Sequence, residues 1–463
     1  MQMLTSGGFR RTQIVVGLVV FALGAALLIA VGKPAQAANG VSIVVNTTAD
    51  AAAVATHCGH PVVTCSLRDA ITLADTDTND IVHVPAIPSG TATVYPTTSG
   101  GGNTLPVSSS MTIAGDDPRL VAVDGGTTNP VFATGNGNNP PTITITGITI
   151  QNGHAATGGG IVNSNASLNL ANDIVANNVA TGINAGGQGG GIFSSVGLIN
   201  IQSTTFSNNV TNEVQNTVAR GAVAPRALSG FGQGGGIYNS AGTASSQLTL
   251  TNDTFNGNSS GQGGAVWTAA PTTLNNDTIV GNSAVNPPGN VPTAGGGGVY
   301  ANAITVNLHN TIVAKNLNSS GDCGPNPAGF SSAGHNIDSD NTCNLIGTGD
   351  QKSTDPQVAA LAFNAPPVVP PNGFPNTMAI TNTSPAFDKA DNTNCPTADE
   401  RGLSRPQGAA CDVGAFEVLV VAPTLPKSGV LAGNSNAPQP AWLGLALLLT
   451  GALGAAALIG RRV

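Results

Sequence analysis

Charged and aromatic side chains are scarce in this chain of 463 residues, making up only 8% and 4% of it. Ordinary globular domains carry about 25% charged residues, so the lysine- and glutamate-rich helical surfaces of a cytosolic α/β enzyme are missing. The formal charge of −8 excludes the basic patch of a nucleic-acid-binding protein. Intrinsic disorder is disfavoured as well, because 40% of the residues are apolar.

Glycine, asparagine, threonine and serine are abundant instead, and they recur in an internal repeat. Five copies begin with a glycine-rich cluster followed by Ile or Val, and most continue with alternating apolar and polar residues. One large apolar residue then follows, at Ile174, Phe206, Phe255, Ile279 and Ile312. Three positions later four copies carry Asn, at Asn177, Asn209, Asn258 and Asn282, and the fifth copy carries Lys315.

This repeat predicts an all-β fold, a parallel β-helix. Short strands that turn at Gly and Asn would stack identical positions about 4.8 Å apart. Stacked apolar residues would fill the interior, and stacked Asn side chains would hydrogen-bond along a ladder. An antiparallel sandwich would instead show hairpin turns at intervals of about 8–12 residues.

Residues 1–37 have the form of an export signal. Two arginines precede an apolar run at 14–32, and Ala35 and Ala37 supply a small-x-small cleavage site. Cleavage after Ala37 is the favoured interpretation. The alternative is an uncleaved anchor, because a run of about 19 apolar residues can span a membrane.

The C-terminal end contains a linker, 418–441, an apolar segment, 442–460, and a basic tail, 461–463. The linker includes the motif Leu425-Pro426-Lys427-Ser428-Gly429. This order resembles the LPxTG cell-wall sorting signal of sortase substrates, with Ser428 in the usual Thr position. The resemblance implies cleavage between Ser428 and Gly429, with sortase and a cell-wall peptide as partners. The alternative is a transmembrane helix that stays in the membrane as the anchor.

The six cysteines all lie between the two end segments and fall into neighbouring pairs: Cys58/Cys65, Cys323/Cys343 and Cys395/Cys411. We predict disulfides, which agree with export to an oxidising compartment. Fifteen pairings are open, and adjacency is only a preference. Metal ligation is disfavoured, because the chain has no CxxC motif.

Both ends of such a stack of strands need caps, because terminal strands expose an edge and an open core. In the N-terminal domain, 38–110, the residues Leu67, Ala70 and Ile71 would share one face of a short amphipathic helix that closes the first end. The repeats occupy 111–322. The region 323–417, which has two cysteine pairs and many prolines, would close the other end.

Cys65-Ser66-Leu67-Arg68-Asp69-Ala70 resembles the CSLREA motif of exported bacterial β-helix proteins, with Asp69 for the usual Glu. Segments 384–388, 399–406 and 412–417 resemble the choice-of-anchor Q domain of the same proteins. The resemblance implies an exported protein anchored at the cell surface, with a right-handed parallel β-helix similar to pectin lyase in shape. It establishes no activity.

Asp253 and Asp277 are the candidate site, because both precede the large apolar residue by two positions. They could bind Ca²⁺ or form a catalytic pair. The alternative is a solvated Asn/Asp turn ladder, since Asn172 and Asn310 hold the same position elsewhere. In water two carboxylates about 4.8 Å apart repel by only about 0.9 kcal/mol, so the ladder would need no cation.

The sequence therefore favours a structural or adhesive surface protein that has a surface glycan as its candidate partner. We expect no catalytic residues, no resident metal and no cofactor other than the candidate Ca²⁺, and no nucleic acid as a partner. The alternative function is a surface polysaccharide lyase or glycoside hydrolase acting on acidic polysaccharide, since such enzymes use this fold. The ligand and the oligomeric state stay open.

Overall fold

The computed structural model describes residues 40–420, apart from 51–52, 59–63, 98–103, 127–128, 138, 184–186, 215–231, 244, 286–294, 318–320, 326–328, 369 and 371–372. One compact unit ends at Leu419, and the other, Val420–Val463, is described only at its first residue. The predicted signal segment, sorting motif and apolar segment 442–460 lie outside the described residues. Among the residues that the structure describes, no helix is long and apolar enough to cross a membrane.

The described chain is nearly all-β, with 33 strands in four parallel sheets. Sheet 1 contains β1 (Ser42–Val44), β2 (Asp80–Val84), β5 (Met111–Gly115), β8 (Thr142–Thr146), β12 (Ser167–Ala171), β16 (Leu198–Gln202), β20 (Gln247–Thr251), β24 (Thr272–Asn275), β28 (Val306–His309) and β31 (Phe330–Gly334). Sheet 2 contains β3 (Thr93–Pro96), β6 (Val121–Asp124), β9 (Thr149–Gln151), β13 (Ile174–Ala176), β17 (Thr205–Ser207), β21 (Thr254–Asn256), β25 (Thr278–Val280), β29 (Ile312–Ala314), β32 (Ile337–Asp338) and β33 (Gln351–Lys352).

The two remaining sheets are shorter. Sheet 3 contains β10 (His154–Ala155), β14 (Val179–Ile183), β18 (Val210–Val214), β22 (Ser259–Ser260) and β26 (Ser283–Ala284). Sheet 4 contains β4 (Leu105–Val107), β7 (Phe132–Thr134), β11 (Ile161–Asn163), β15 (Ile192–Ser194), β19 (Ile237–Asn239), β23 (Val266–Thr268), β27 (Val299–Ala301) and β30 (Cys323–Gly324).

From β8 to β27 the chain visits sheets 1, 2, 3 and 4 in turn and then returns to sheet 1, and we call each such passage a circuit. Each strand pairs with the strand one circuit later, as β12 pairs with β16 and β17 pairs with β21. The sheets extend beyond the predicted repeat region 111–322 at both ends, since β1 begins at Ser42 and β33 ends at Lys352.

Apolar side chains at matching positions of successive strands fill the interior. On sheet 2 these fully buried residues are Ile150, Val175, Phe206, Phe255, Ile279 and Val313. The rings of Phe206 and Phe255 stack with centroids 4.6 Å apart. The predicted inward residues Ile174 and Ile312 are wrong by one position, because they pair with Thr205 and Thr278 on the outer face of the sheet.

A column of buried asparagines follows sheet 2, and it confirms the predicted ladder. The Asn258 Oδ1 atom accepts hydrogen bonds from the backbone N–H (3.0 Å) and the Nδ2 (2.9 Å) of Asn209. The Nδ2 atom of Asn258 donates in turn to the Oδ1 atom of Asn282, at 2.8 Å. The column comprises Asn178, Asn209, Asn258, Asn282 and Asn316, so Asn178 and Asn316 replace the predicted Asn177 and Lys315.

The glycine clusters lie where the chain enters sheet 4, and the backbone there excludes other residues. Gly189 has a φ of 65°, in the left-handed region that side chains disfavour. A Cβ atom on Gly190 would lie 2.5 Å from the carbonyl oxygen of Gly235 on the next circuit. Each cluster therefore combines a left-handed turn with a close approach between circuits.

The predicted N-terminal helix is present as α1 (Leu67–Ala74), preceded by a 3-10 helix at Ala55–Cys58. Ser66 caps α1, and its hydroxyl accepts a hydrogen bond from the backbone N–H of Asp69 while the Asp69 carboxylate accepts one from Ser66. The apolar face is buried against β1, β2 and β4, the first strands of sheets 1 and 4. The buried Arg68 pairs with Asp50 at 2.7 Å. The helix therefore covers the N-terminal end of the core.

Replacing Asn258 with Ala should lower the free energy of unfolding by about 2–4 kcal/mol, because buried N–H and C=O groups on both neighbouring circuits lose their partner. Urea denaturation measures this change. Asn200→Ala is the matched control, because Asn200 is exposed on β16, and it should change stability by less than about 0.5 kcal/mol. Equal losses in the two variants would contradict the ladder's contribution to stability.

Candidate functional site

The candidate pair Asp253 and Asp277 lies on neighbouring circuits, directly before β21 and β25. The Asp277 Oδ1 atom accepts a hydrogen bond from the backbone N–H of Asp253 (2.9 Å), and the Asp253 Oδ1 atom accepts one from that of Thr204 (2.8 Å). Both side chains are 0% exposed. The expectation of a solvated turn ladder is therefore wrong, and neither carboxylate faces a ligand in solvent.

These two acids belong to a column that also contains neutral side chains. Each member accepts, through a side-chain oxygen, a hydrogen bond from the backbone N–H at the matching position one circuit earlier. The members are Asp173, Thr204, Asp253, Asp277, Thr311 and Asn336. Asn172 and Asn310, which we predicted at this position, lie one residue earlier and have φ values of 57° and 50°. Since Thr and Asn make the same bond, the position requires an acceptor and not a charge.

Burial raises the pKa of the acids in this column, because loss of water penalises the ionised carboxylate. It raises the pKa of Asp173 to about 8, although Ile148 and Ala171 donate backbone hydrogen bonds to the carboxylate. The pKa of Asp253 is raised by burial and then by the charge of Asp277, whose own pKa burial also raises. The column thus favours protonated acids, in contrast to the ionised ligands that a Ca²⁺ site needs.

Sheet 4 carries an outward column of aromatic rings that is not among the predicted features of the repeat. Phe193, Tyr238, Trp267 and Tyr300 stack with successive centroid separations of 5.3, 4.4 and 6.2 Å. The signal was present, because each ring directly follows the Ile or Val after a glycine cluster. Trp267 is only 5% exposed, so the rings contact one another more than they contact solvent. The column therefore packs successive circuits of sheet 4 against one another.

A glutamine ladder lies just ahead of the aromatic column in each circuit. Gln188 donates from its Nε2 atom to the Oε1 atom of Gln233 (3.0 Å), and Gln233 donates likewise to Gln262 (3.1 Å). Each Gln directly precedes a glycine cluster, a sequence signal that was also overlooked. Like the asparagine column, this ladder joins circuits through neutral amides.

Residues 355–418, here called the strap, lie along the outer face of sheet 2. Glu400 is fully buried there, and its carboxylate accepts hydrogen bonds from the hydroxyls of Thr205 (3.0 Å) and Thr254. Turn asparagines assist, since the Asn252 Nδ2 atom donates to a strap carbonyl at 2.8 Å. The predicted end cap 323–417 is therefore divided: residues 323–352 continue the sheets, and the strap covers a sheet face whose outward threonines offer it partners.

Buried ion pairs connect residues within the strap. Asp399 lies 2.6 Å from Arg401, whose guanidinium lies 3.6 Å from the centre of the Phe416 ring. Arg405 is buried and lies 3.6 Å from Glu417. These residues belong to the segments that resemble the choice-of-anchor Q domain, and in this structure their side chains stabilise the strap.

Disulfides join Cys58 to Cys65, Cys323 to Cys343 and Cys395 to Cys411, which are the adjacent pairs that we favoured. The first lies beside α1, and the third lies within the strap. No cysteine of the described chain is free. The second joins β30 to the loop between β32 and β33, so each cross-link restrains a segment that lies outside the strands.

A groove of about 410 Å³ opens where the strap leaves part of sheet 2 uncovered. Its floor contains Val94, Ala122, Thr149 and Ile174, which occupy matching positions of β3, β6, β9 and β13. Its walls come from the loop after β5 and from the strap, and they include Pro118, Arg119, Phe363 and Asn376. The next residue of the floor column, Thr205, is covered by the strap.

A cluster of three carboxylates lies near the C-terminal end of the sheets and was not found in the sequence. Oxygens of Asp322, Asp338 and Asp340 lie within 4.8 Å of one another. They already accept hydrogen bonds from the local chain, as Asp338 does from the backbone N–H of Cys343 at 2.9 Å. Burial raises the pKa of Asp322 to about 7 and that of Asp338 to about 6. The cluster thus organises the loop closed by Cys323 and Cys343.

No family model, curated protein or solved structure matches the chain. Function is therefore inferred from the chain's own residues. Among the described residues, the column acids are sealed inside the fold, whereas the groove beside the strap is open to solvent.

Ionisation of the Asp173 carboxyl should make the protein less stable as the pH rises. Its folded-state pKa of about 8 lies above the unfolded value of about 4, so its contribution is full below pH 4 and is lost as the pH rises through 8. Asp173→Thr keeps an acceptor of the kind used at Thr204 and removes the titration. Between roughly pH 5 and pH 9 its urea midpoint should fall less than that of the wild type.

The exposed Asp77→Thr is the matched control for this measurement, and its urea midpoint should follow the wild type across the same pH range. A fall in Asp173→Thr as large as that in the wild type would show that Asp173 does not cause the pH dependence.

Removing the Glu400 carboxylate should loosen the strap. Glu400→Ala leaves the buried hydroxyl of Thr254 without its partner and leaves Thr205 bonded only to the carbonyl oxygen of Asn376, at a cost of about 1–3 kcal/mol. Trypsin should then cleave after Arg401 at least about tenfold faster in the folded protein. Glu400→Gln retains an acceptor and should stay close to the wild type. Unchanged cleavage of Glu400→Ala would show that other contacts fix the strap.

Proposed function

We propose that this protein is an exported, surface-anchored structural and adhesive protein whose sheets coil as a right-handed parallel β-helix. The circuit of strands through four parallel sheets supports the coil. Connections between parallel strands of one sheet are right-handed in about 98% of cases, which supports the hand. The proposed relationship is to exported CSLREA and choice-of-anchor Q proteins with a solenoid similar to pectin lyase.

The observation that carries this proposal is that buried ionisable side chains form hydrogen bonds within the fold. Asp253 and Asp277 link neighbouring circuits, and Glu400 fastens the strap to sheet 2. The outer face of sheet 1 offers neutral hydrogen-bonding groups instead, with Thr144, Asn169, Asn200, Thr249 and Thr273 in register. A stiff body with a neutral polar face suits display and adhesion, with a surface glycan as partner.

Export and anchoring rest on the two end segments and on the cysteines. The disulfides favour an oxidising compartment. We propose that residues 1–37 direct export with cleavage after Ala37, and that sortase joins Ser428 to a cell-wall peptide. Retention of 442–460 as a membrane helix is the alternative anchor.

Protease treatment of intact cells, followed by mass spectrometry of wall digests, tests this proposal. We expect peptides from the strap and the sheets to be released from outside the cell, and a C-terminal peptide that ends at Ser428 and carries a wall amine. Leu425→Ala should abolish this linkage, whereas Leu431→Ala, beyond the motif, should retain it. Protein found only in the cytoplasm would overturn the function, and an intact bond after Ser428 would replace sorting by the membrane anchor.

An activity assay of the intact, undigested protein tests the catalytic alternative. A polysaccharide lyase would release unsaturated sugars from polygalacturonate, and we expect none. Turnover by the wild type would contradict a non-catalytic role. Asp253→Asn and Asp277→Asn test whether that turnover depends on the candidate pair, although both side chains lie within the fold.

A further inference from the structure

The strap covers only part of the outward column of sheet 2. Glu400 contacts Thr205 and Thr254, and the backbone of Ala415 contacts Thr278. The four preceding positions form the floor of the groove described above. Val94 in this floor is 48% exposed, and Phe363 in the wall is 46% exposed, so the groove presents an aliphatic and an aromatic surface to solvent.

The groove wall is held in place by a stacked cluster. The guanidinium of Arg119 lies 4.2 Å from the ring centre of Phe363 and 5.0 Å from that of Phe374, and the two rings stack at 4.8 Å. Gly373, with a φ of 65°, brings this part of the strap directly against Asp117. Phe363 is therefore a positioned ring, which lowers the entropy cost of binding a ligand.

The rim offers hydrogen bonds without a free positive charge. Arg119 is the one charged residue that lines the groove within the described chain, and it is paired with Asp117 through two hydrogen bonds. The neighbouring Asp124 accepts a hydrogen bond from Gln151 at 3.0 Å and adds negative charge beside the groove. The side-chain amide of Asn376 bonds to no described residue. This balance disfavours carboxylated or sulfated ligands.

We propose that this groove binds a neutral oligosaccharide. A sugar ring has an apolar C–H face, which fits Phe363 and Val94, and a rim of hydroxyls, which fits the amides of Gln151 and Asn376. The groove crosses β3, β6, β9 and β13 and is open to solvent, in contrast to the enclosed pockets that bury most of a small ligand. This inference rests on the proposed adhesive function and names the chemistry of its ligand.

Calorimetric titration of the full chain with cellohexaose, mannohexaose and the acidic hexagalacturonate tests the proposal. We expect a neutral hexasaccharide to bind with a Kd of about 1 mM or tighter. Phe363→Ala should weaken binding at least about tenfold by removing the aromatic surface. Ala122→Trp should abolish binding by filling the floor. Val285→Ala removes an exposed apolar side chain that does not line the groove and should change the Kd less than about twofold.

Three results would each overturn the inference. They are failure of both neutral hexasaccharides to bind, preference for hexagalacturonate, and wild-type affinity in the folded Phe363→Ala and Ala122→Trp variants. Thermal unfolding of the variants shows whether they are folded. The proposed function is tested separately by the location of the protein. If the protein is displayed on cells and its groove variants bind the glycan normally, the adhesive role stands and only the groove is excluded as the binding site. A protein absent from the surface loses the function whatever the groove binds.

Discussion

Repetition along the stack of strands is the constraint on which the rest of this structure depends. Strands lie about 4.8 Å apart, so the matching residue one circuit away is a partner within reach of each buried polar group. Asn258 shows the solution, because one side chain accepts from Asn209 and donates to Asn282. An amide can be both donor and acceptor, and it can therefore continue a ladder without limit.

A carboxylate cannot continue such a ladder in the same way, because it only accepts and its charge repels its neighbours. Asp253 and Asp277 are adjacent in their column, and burial raises the pKa of both. Neutral Thr204 and Thr311 lie on either side of this pair. The scarcity of charge in the chain thus follows from the architecture, since few positions in a stacked fold tolerate an ionised group.

The sequence predicted the all-β class, the helix α1 and the asparagine ladder, because periodicity and capping are local properties of the chain. The predicted inward positions were wrong by one residue at Ile174 and Ile312. In both strands an outward isoleucine precedes an inward valine, and the sequence offers two equally apolar candidates for the interior. Burial of Asp253 was missed because a column of mixed Asp, Thr and Asn resembles a turn surface. The position of the strap could not be read at all, because an irregular segment has no period that relates it to sheet 2.

The strap determines where the chain leaves the described unit. Near the end of the strap, the backbone N–H of Ala415 bonds to the Thr278 hydroxyl on β25. Val418 then packs against the apolar cluster that includes Val280 and Ile312 of sheet 2, and its backbone N–H bonds to Asp412 within the strap. The exit point therefore lies beside β25 and β29 and not after the last strand of the sheets. A pull from a C-terminal anchor would first act on the buried pairs of the strap and on Glu400, and only then on a terminal strand. Because a terminal strand has a partner on one side alone, this route protects the sheets at their weakest edge.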